Sequence, residues 1–168
     1  CDFNSHVATS IDHQAFADAY RREMAHMAAR FGKDRPLHSI FFGGGTPSLM
    51  PPRLVADTLD VAADLFGFES DIEITLEANP TSTEAANLEG LAAAGVNRVS
   101  LGVQSLDAAA LAFLGRDHSA DEALRAIAAA RQHFARVSMD LIYARTGQSA
   151  DAWMRELQSA IDIGLDHM

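Results

Sequence analysis

Two stretches of the chain alternate strictly between apolar and polar positions. Across Asp71–Glu77, residues Ile72, Ile74 and Leu76 fall on one face and Glu73, Thr75 and Glu77 on the other. Across Arg98–Gln104, residues Val99, Leu101 and Val103 oppose Arg98, Ser100, Gly102 and Gln104. A period of two is that of a strand. A third run, Val137–Tyr143, sets Asp140 opposite Met139 and Leu141, and a short apolar run at Ser39–Phe42 stops at three glycines. Between these runs the apolar period lengthens to that of a helix. Phe16, Tyr20, Met24, Met27 and Phe31 predict a helix over Ile11–Phe31, with Ser10 as its available cap and Gly32 as its stop. Leu54, Leu59, Val61, Ala62, Leu65 and Phe66 predict a second, from near Pro51 to Gly67. Further helices are predicted over Thr83–Ala94, Ala108–Leu114, Ala120–His133 and Ala150–Ile163. Asp121 and Glu122 suit the first turn of one of them, and Trp153, Met154 and Leu157 are expected in the core. His167 is expected to enter another strand.

Strands alternating with helices, with no hairpin signal, predict an α/β fold with a parallel sheet. Parallel strands covered on both faces read as continuous apolar runs. Two strands here keep a polar face instead, so that face lines something other than a dry core. The reading is a partial TIM-like barrel of the (β/α)6 type, helices outside and a polar interior; an open sheet with one wet face is the alternative.

Composition narrows the function. The 168 residues suit one domain, 1–168. A formal net charge of −10 argues against nucleic-acid or anionic-membrane binding, though not against an anionic small ligand held by a few arginines. No apolar run reaches the ~18 residues of a membrane span. No signal-peptide pattern is present, so the cytoplasm is expected. The single cysteine, Cys1, builds no disulfide and fits a reducing compartment. The chain lacks an initiator Met and stops just after a helix; it reads as an internal piece of a longer protein. His6, His13, His26, His38, His118, His133 and His167 are scattered with no HxxxH pair and read as surface or turn residues.

In βα barrels the reactive groups sit at the C-terminal strand ends. Here those ends offer Gly43-Gly44-Gly45-Thr46, then Glu77-Ala78-Asn79-Pro80, then Gln104-Ser105, and Asp140. The glycines leave bare backbone that a small polar ligand can approach; a tight strand-to-helix turn with no ligand is the plainer alternative. Inward carboxylates need partners, and a ligand with hydroxyls and an amine supplies them.

The runs Phe42-Gly43-Gly44-Gly45-Thr46-Pro47-Ser48, Glu77-Ala78-Asn79-Pro80, Asn97-Arg98-Val99-Ser100-Leu101-Gly102-Val103-Gln104-Ser105 and Leu114-Gly115-Arg116 resemble radical S-adenosylmethionine (SAM) proteins, and more narrowly the oxygen-independent coproporphyrinogen III oxidase family. Cys1-Asp2-Phe3-Asn4-Ser5-His6 resembles the end of that family's CxxxCxxC loop, with Cys1 as the third cysteine. The resemblance implies that Cys1 is one of three thiolates on a [4Fe-4S] cluster with one iron open to SAM. It implies that backbone around Gly44, Gly45 and Thr46 holds the SAM amino group, that Glu77, Gln104 and Asp140 hold its other polar groups, and that Arg116 faces its carboxylate. Cleavage of SAM to methionine and a deoxyadenosyl radical is the reaction implied.

Two branches of the family differ at the cluster loop. The decarboxylating oxidases resemble one another in a further cysteine two residues after the third, where this chain has Phe3. Asp2-Phe3-Asn4-Ser5-His6 and Glu77-Ala78-Asn79-Pro80 resemble the HemW-type heme chaperone branch instead. That branch implies heme or porphyrin and heme-accepting proteins as partners. The family's Gly-Leu-Pro-like run after the strand carrying Asp140 reads Ala144-Arg145-Thr146-Gly147 here, a departure in that loop. The alternatives are a true coproporphyrinogen oxidase, a heme carrier with vestigial SAM cleavage, and, from another class, a phosphate-binding barrel enzyme without a cluster. With one of three expected cluster cysteines, this piece alone is expected to be inactive, and its exposed Ser39–Phe42 edge is expected to promote self-association into homo-oligomers.

Overall fold

The computed structural model describes residues 10–32, 36–81, 84 and 86–168. In chain order the elements are α1 (His13–Phe31), β1 (Leu37–Phe42), a 3-10 turn (Pro47–Leu49), α2 (Pro52–Phe66), β2 (Phe68–Ala78), α3 (Leu88–Ala93), β3 (Arg98–Gln104), α4 (Ala108–Phe113), α5 (Ala120–His133), β4 (Arg136–Leu141) and α6 (Ala150–Asp162). The four strands form one parallel sheet in the order β1-β2-β3-β4. The start of a fifth follows: His167 bridges in parallel to Ser138, as the sequence predicts.

Period-two alternation decides which face is dry. Ile74 and Leu76 of β2, Val99, Leu101 and Val103 of β3, and Val137 and Met139 of β4 form a single core with Val55 and Leu59 of α2, Leu88 and Leu91 of α3, and Ala123, Ile127 and Ala130 of α5. The alternate positions carry a polar face. Its lower end is a charged cluster in which Glu73 pairs with Arg98 at 2.7 Å and Arg136 at 2.9 Å. Higher up, Ser138 Oγ donates to Ser100 Oγ at 3.0 Å, and Ser100 Oγ lies 3.1 and 3.2 Å from the two oxygens of Asp140. This polar layer replaces the continuous apolar run of a doubly covered parallel strand. Asn97 extends the ladder with its side chain, accepting from the Ile74 amide and donating to the Ile72 carbonyl, both at 2.8 Å.

Several boundaries differ from the sequence reading. Asp12, not Ser10, caps α1: its carboxylate accepts from the Ala15 amide at 3.0 Å. β2 begins three residues before the alternation does, at Phe68, which pairs with Leu37 of β1. The helix expected over Thr83–Ala94 has its regular part at Leu88–Ala93, with residues 82, 83 and 85 outside the described ones. Strand β4 ends at Leu141, before Tyr143, whose ring turns out to pack on Trp153 at 5.5 Å. Met154, expected in the core, is 59% exposed, and Glu156 takes the inward position beside it. The apolar stripe of α1 exists, but Phe16, Tyr20, Met27 and Phe31 remain exposed and Ala28 alone is buried. His118 lies in a turn as expected but is buried, its Nε2 donating to the Val103 carbonyl at 3.0 Å. Among the described residues no helix is long and apolar enough to cross a membrane.

Candidate functional site

The C-terminal end of β1 turns through glycines, and one of them needs to be glycine. Gly44 has φ +127, a conformation that side-chain-bearing residues rarely adopt. A Cβ at Gly44 or Gly45 would meet nothing within 4 Å, so both face open space. The Gly44 amide donates to Glu77 Oε2 at 3.2 Å, and Thr46 Oγ1 folds back to the Gly45 carbonyl at 2.7 Å. Pro47 and Ser48 are buried in the turn that follows.

The end of β2 is tied to that turn by a buried carboxylate the sequence reading missed. Glu84 accepts from Ser48 Oγ, from the Asn79 amide at 2.6 Å and from Asn79 Nδ2 at 3.2 Å. Asn79 is thereby braced by Glu84, and both it and Glu77 line the opening.

The end of β3 carries an irregularity. Leu101 pairs with Met139 and Gln104 with Leu141, so β3 holds one extra residue there, a bulge. Gln104 sits at φ 67. Gly102 is buried, and a Cβ on it would lie 2.8 Å from Gln104 Nε2 and 3.5 Å from Asn79 Oδ1. The missing side chain leaves room for the Gln104 amide. Arg116 arrives through a Schellman motif at the end of α4. Gly115 at φ 64 donates to the Ala112 carbonyl at 3.1 Å, and the Arg116 amide donates to Leu111 at 3.0 Å.

These ends enclose one polar cavity of about 210 Å3. Gly44, Gly45, Thr46, Glu77, Gln104, Arg116 and Asp140, the seven residues expected to hold SAM, all line it, together with Ser100 and Gly102. The expected cluster ligand, Cys1, and Phe3 lie outside the described residues. Among the described residues no three His, Cys, Asp or Glu side chains are grouped to hold a metal ion. The cavity offers two carboxylates, one guanidinium, the side-chain amides of Gln104 and Asn79, hydroxyls and bare backbone, a donor set for a small zwitterion with hydroxyl groups. Gly45, Thr46 and Pro47 also border an apolar cleft of about 720 Å3 between α1, β1 and α2, so a ligand longer than the polar cavity has an apolar path to follow.

Glu84 and Glu156 were not picked out from the sequence. For Glu156 a signal exists: with Trp153 and Ala160 it occupies one helical stripe, and a lone carboxylate there is out of place unless bonded. For Glu84 the sequence holds no comparable signal.

The fold and cavity define a parallel α/β, barrel-type protein with a polar cavity at the C-terminal strand ends. The chain belongs to the radical SAM superfamily, whose family model matches residues 1–160. It is 42% identical over 169 residues to the Bos taurus protein named "Radical S-adenosyl methionine domain-containing protein 1, mitochondrial", covering 100% of this chain and 38% of that one. It is 37% identical over 173 residues to "Heme chaperone HemW" of Haemophilus influenzae, covering 100% of this chain and 45% of the relative. The solved coproporphyrinogen III oxidase (HemN) of Escherichia coli, described as a radical SAM enzyme, superposes with a TM-score of 0.80 at 26% identity, over 99% of this chain and 38% of that chain. The four-stranded sheet is thus part of the radical SAM TIM-like barrel, and its polar face is the barrel interior. The chain spans 38 to 45% of the length of these relatives.

Proposed function

We propose that residues 1–168 are the SAM-binding core of a radical SAM heme chaperone. The observation that carries this reading is the meeting of Gly44, Gly45, Thr46, Glu77, Gln104, Arg116 and Asp140, from four strand ends and one helix end, around one polar cavity. The residues fit SAM by the chemistry of their donors. Arg116 pairs with the ligand's carboxylate. Bare backbone at Gly45 and Thr46, next to the Glu77 carboxylate, receives its ammonium. Asp140, oriented by Ser100, and Gln104 accept from or donate to the ribose hydroxyls and the base. Gly102 keeps the floor open for the Gln104 amide. Cys1 is the one residue of this chain assigned to a [4Fe-4S] cluster; when bound, that cluster supplies the electron for reductive cleavage of SAM. As a thiolate ligand Cys1 requires a reducing compartment, and the cytoplasm supplies one.

Heme as cargo and heme-accepting proteins as partners are supported by the similarity to HemW proteins of H. influenzae and of Mycobacterium tuberculosis, the latter 38% identical over 173 residues. Phe3, where the oxidases' additional cysteine is expected, supports the same branch. The superposition with a coproporphyrinogen III oxidase favours the second reading, oxidative decarboxylation of a porphyrinogen.

The test uses the full-length protein, reconstituted with iron and sulfide without oxygen. Reductant and SAM are added, and 5′-deoxyadenosine is followed with coproporphyrinogen III or heme present. Stoichiometric heme binding without porphyrinogen oxidation is the expected result. Deoxyadenosine together with protoporphyrinogen formation would make the protein an oxidase, and absence of both a cluster and SAM binding would overturn the core assignment.

A further inference from the structure

Outside the polar cavity, on α6, a second buried carboxylate holds two strand ends at once. Glu156 accepts from Ser105 Oγ, from the Leu106 amide at 3.1 Å, from Arg145 Nη2 at 2.6 Å and from Gln148 Nε2 at 3.2 Å. Its side chain is 8% exposed and that of Arg145 9%. Ser105 is fully buried.

The placement of these bonds coincides with backbone strain. Among the described residues, two that are not glycine have a left-handed backbone: Gln104 at φ 67 and Ala144 at φ 58. Each stands immediately before a residue that Glu156 grips, Ser105 in one case and Arg145 in the other. The two turns are also bonded to each other. The Ile142 amide donates to the Gln104 carbonyl at 2.8 Å, and Arg145 Nη1 donates to the Ile142 carbonyl at 2.8 Å. The bonds therefore close a ring running Gln104, Ile142, Arg145, Glu156, Ser105 and back to Gln104. A left-handed residue with a side chain persists where its surroundings over-determine it, and this ring does so from both sides.

We propose that Glu156 is a positioning residue for the ligand cavity. Its bonds to Ser105 and Arg145 lock the strained turn that points the Gln104 amide at the ligand. The inference rests on the SAM-binding reading of the cavity, to which Glu156 contributes no lining atom. Burial pushes the Glu156 carboxyl up, but the bonds from Arg145, Ser105 and Leu106 together outweigh it and hold the carboxyl below the usual glutamate range. The latch is therefore charged at neutral pH. The Arg145 guanidinium, itself part of the run that departs from the family's, supplies its counter-charge.

The test is a double-mutant cycle on the full-length, cluster-reconstituted protein, with SAM affinity read by calorimetry and melting temperature read in parallel. The variants are E156Q, Q104A and the two combined. E156Q is expected to weaken SAM binding by about tenfold in the wild-type background and by less than about twofold in the Q104A background, because residues joined in one hydrogen-bond network couple even without touching. Equal loss in both backgrounds would overturn the inference, as would a lowered melting temperature with unchanged affinity. Should E156Q not fold, S105A removes a single bond of the ring and is measured in the same cycle with the same decision. A wild-type protein that binds no SAM would remove the SAM-binding reading and this inference together, whereas a wild-type protein that binds SAM with no coupling between residues 104 and 156 would remove this inference alone.

Discussion

The amide of Gly44 donates to the carboxylate of Glu77 across the ends of neighbouring strands, at 3.2 Å. One oxygen of Glu77 thereby shapes the glycine turn, while the same side chain faces the cavity. Shape and charge can be separated by substitution. E77Q keeps an acceptor for the Gly44 amide and removes the charge; E77A removes both. Hydrogen bonds to charged groups are worth roughly 1.5–3 kcal/mol, so E77Q is expected to weaken SAM binding by about ten- to a hundredfold. E77A is expected to lose more, and calorimetry on the reconstituted full-length protein ranks the two. Equal affinity of E77Q and wild type would mean that Glu77 serves the turn alone.

Gly102 gives a cleaner separation of binding from folding. Its backbone is compatible with alanine, and the new methyl would meet the free end of the Gln104 side chain at 2.8 Å. A flexible terminus moves at little cost to stability. G102A is therefore expected to melt within a few degrees of wild type, since about 1 kcal/mol corresponds to about 2–4 °C in a protein of this size. It is expected to bind SAM poorly, because Gln104 is pushed from its place. A folded variant with wild-type affinity would show that the Gln104 amide does not touch the ligand.

The charged cluster at the lower end of the polar face sets an acid limit. The Arg98 guanidinium bonded to Glu73 holds its carboxyl below the usual glutamate range; burial opposes this and Arg136 adds to it. A carboxyl depressed in the folded state stabilises the fold fully above its ordinary value of 4.5. That contribution is lost as pH falls from there through the folded-state value. Urea midpoints of wild type and E73Q are expected to differ at pH 7 and to converge as pH falls from 4.5 through the lower folded-state value. A constant gap across that range would place the stabilisation elsewhere.

The dry face of β3 is predicted to affect stability and leave the cavity chemistry alone. Leu101 is 1% exposed within the core, one residue from Ser100 and Gly102 on the opposite face. L101A is expected to cost about 2–5 kcal/mol in urea unfolding. Its SAM affinity, measured well below the unfolding midpoint, is expected to stay within about threefold of wild type, since the deleted atoms point away from the cavity.

How far the site was legible follows from what each residue bonds to. Gln104, Asp140 and Glu77 were readable because strand alternation places them on the polar face and the motif runs give them company. Arg116 was readable through its Leu114-Gly115 context alone, and the structure adds the reason: a helix-ending glycine turns the arginine toward the opening. Ser100 and Gly102 stood in the same alternation, but their roles as an orienting hydroxyl and a missing side chain depend on neighbours across the sheet. The burial of Met154 was misread because Trp153, Met154 and Leu157 look alike to a periodicity argument, while a charged residue three positions beyond Trp153 occupies the inward place.

The alternating strands, the intervening helices, the acidic first turn at Asp121 and Glu122, and the four ordered motifs were all properties of the chain itself. They rest on interactions between residues a few positions apart, or on backbone periods that any environment preserves. From them came the parallel α/β sheet, its polar face and the residues around one cavity. Tertiary structure alone decided the bulge at Gln104, the exposure of the α1 stripe, and the carboxylates that hold the rim. Ser48 meets Glu84 across 36 positions and Ser105 meets Glu156 across 51. Buried charge is stabilised only by the partners folding brings to it, and no local pattern names those partners.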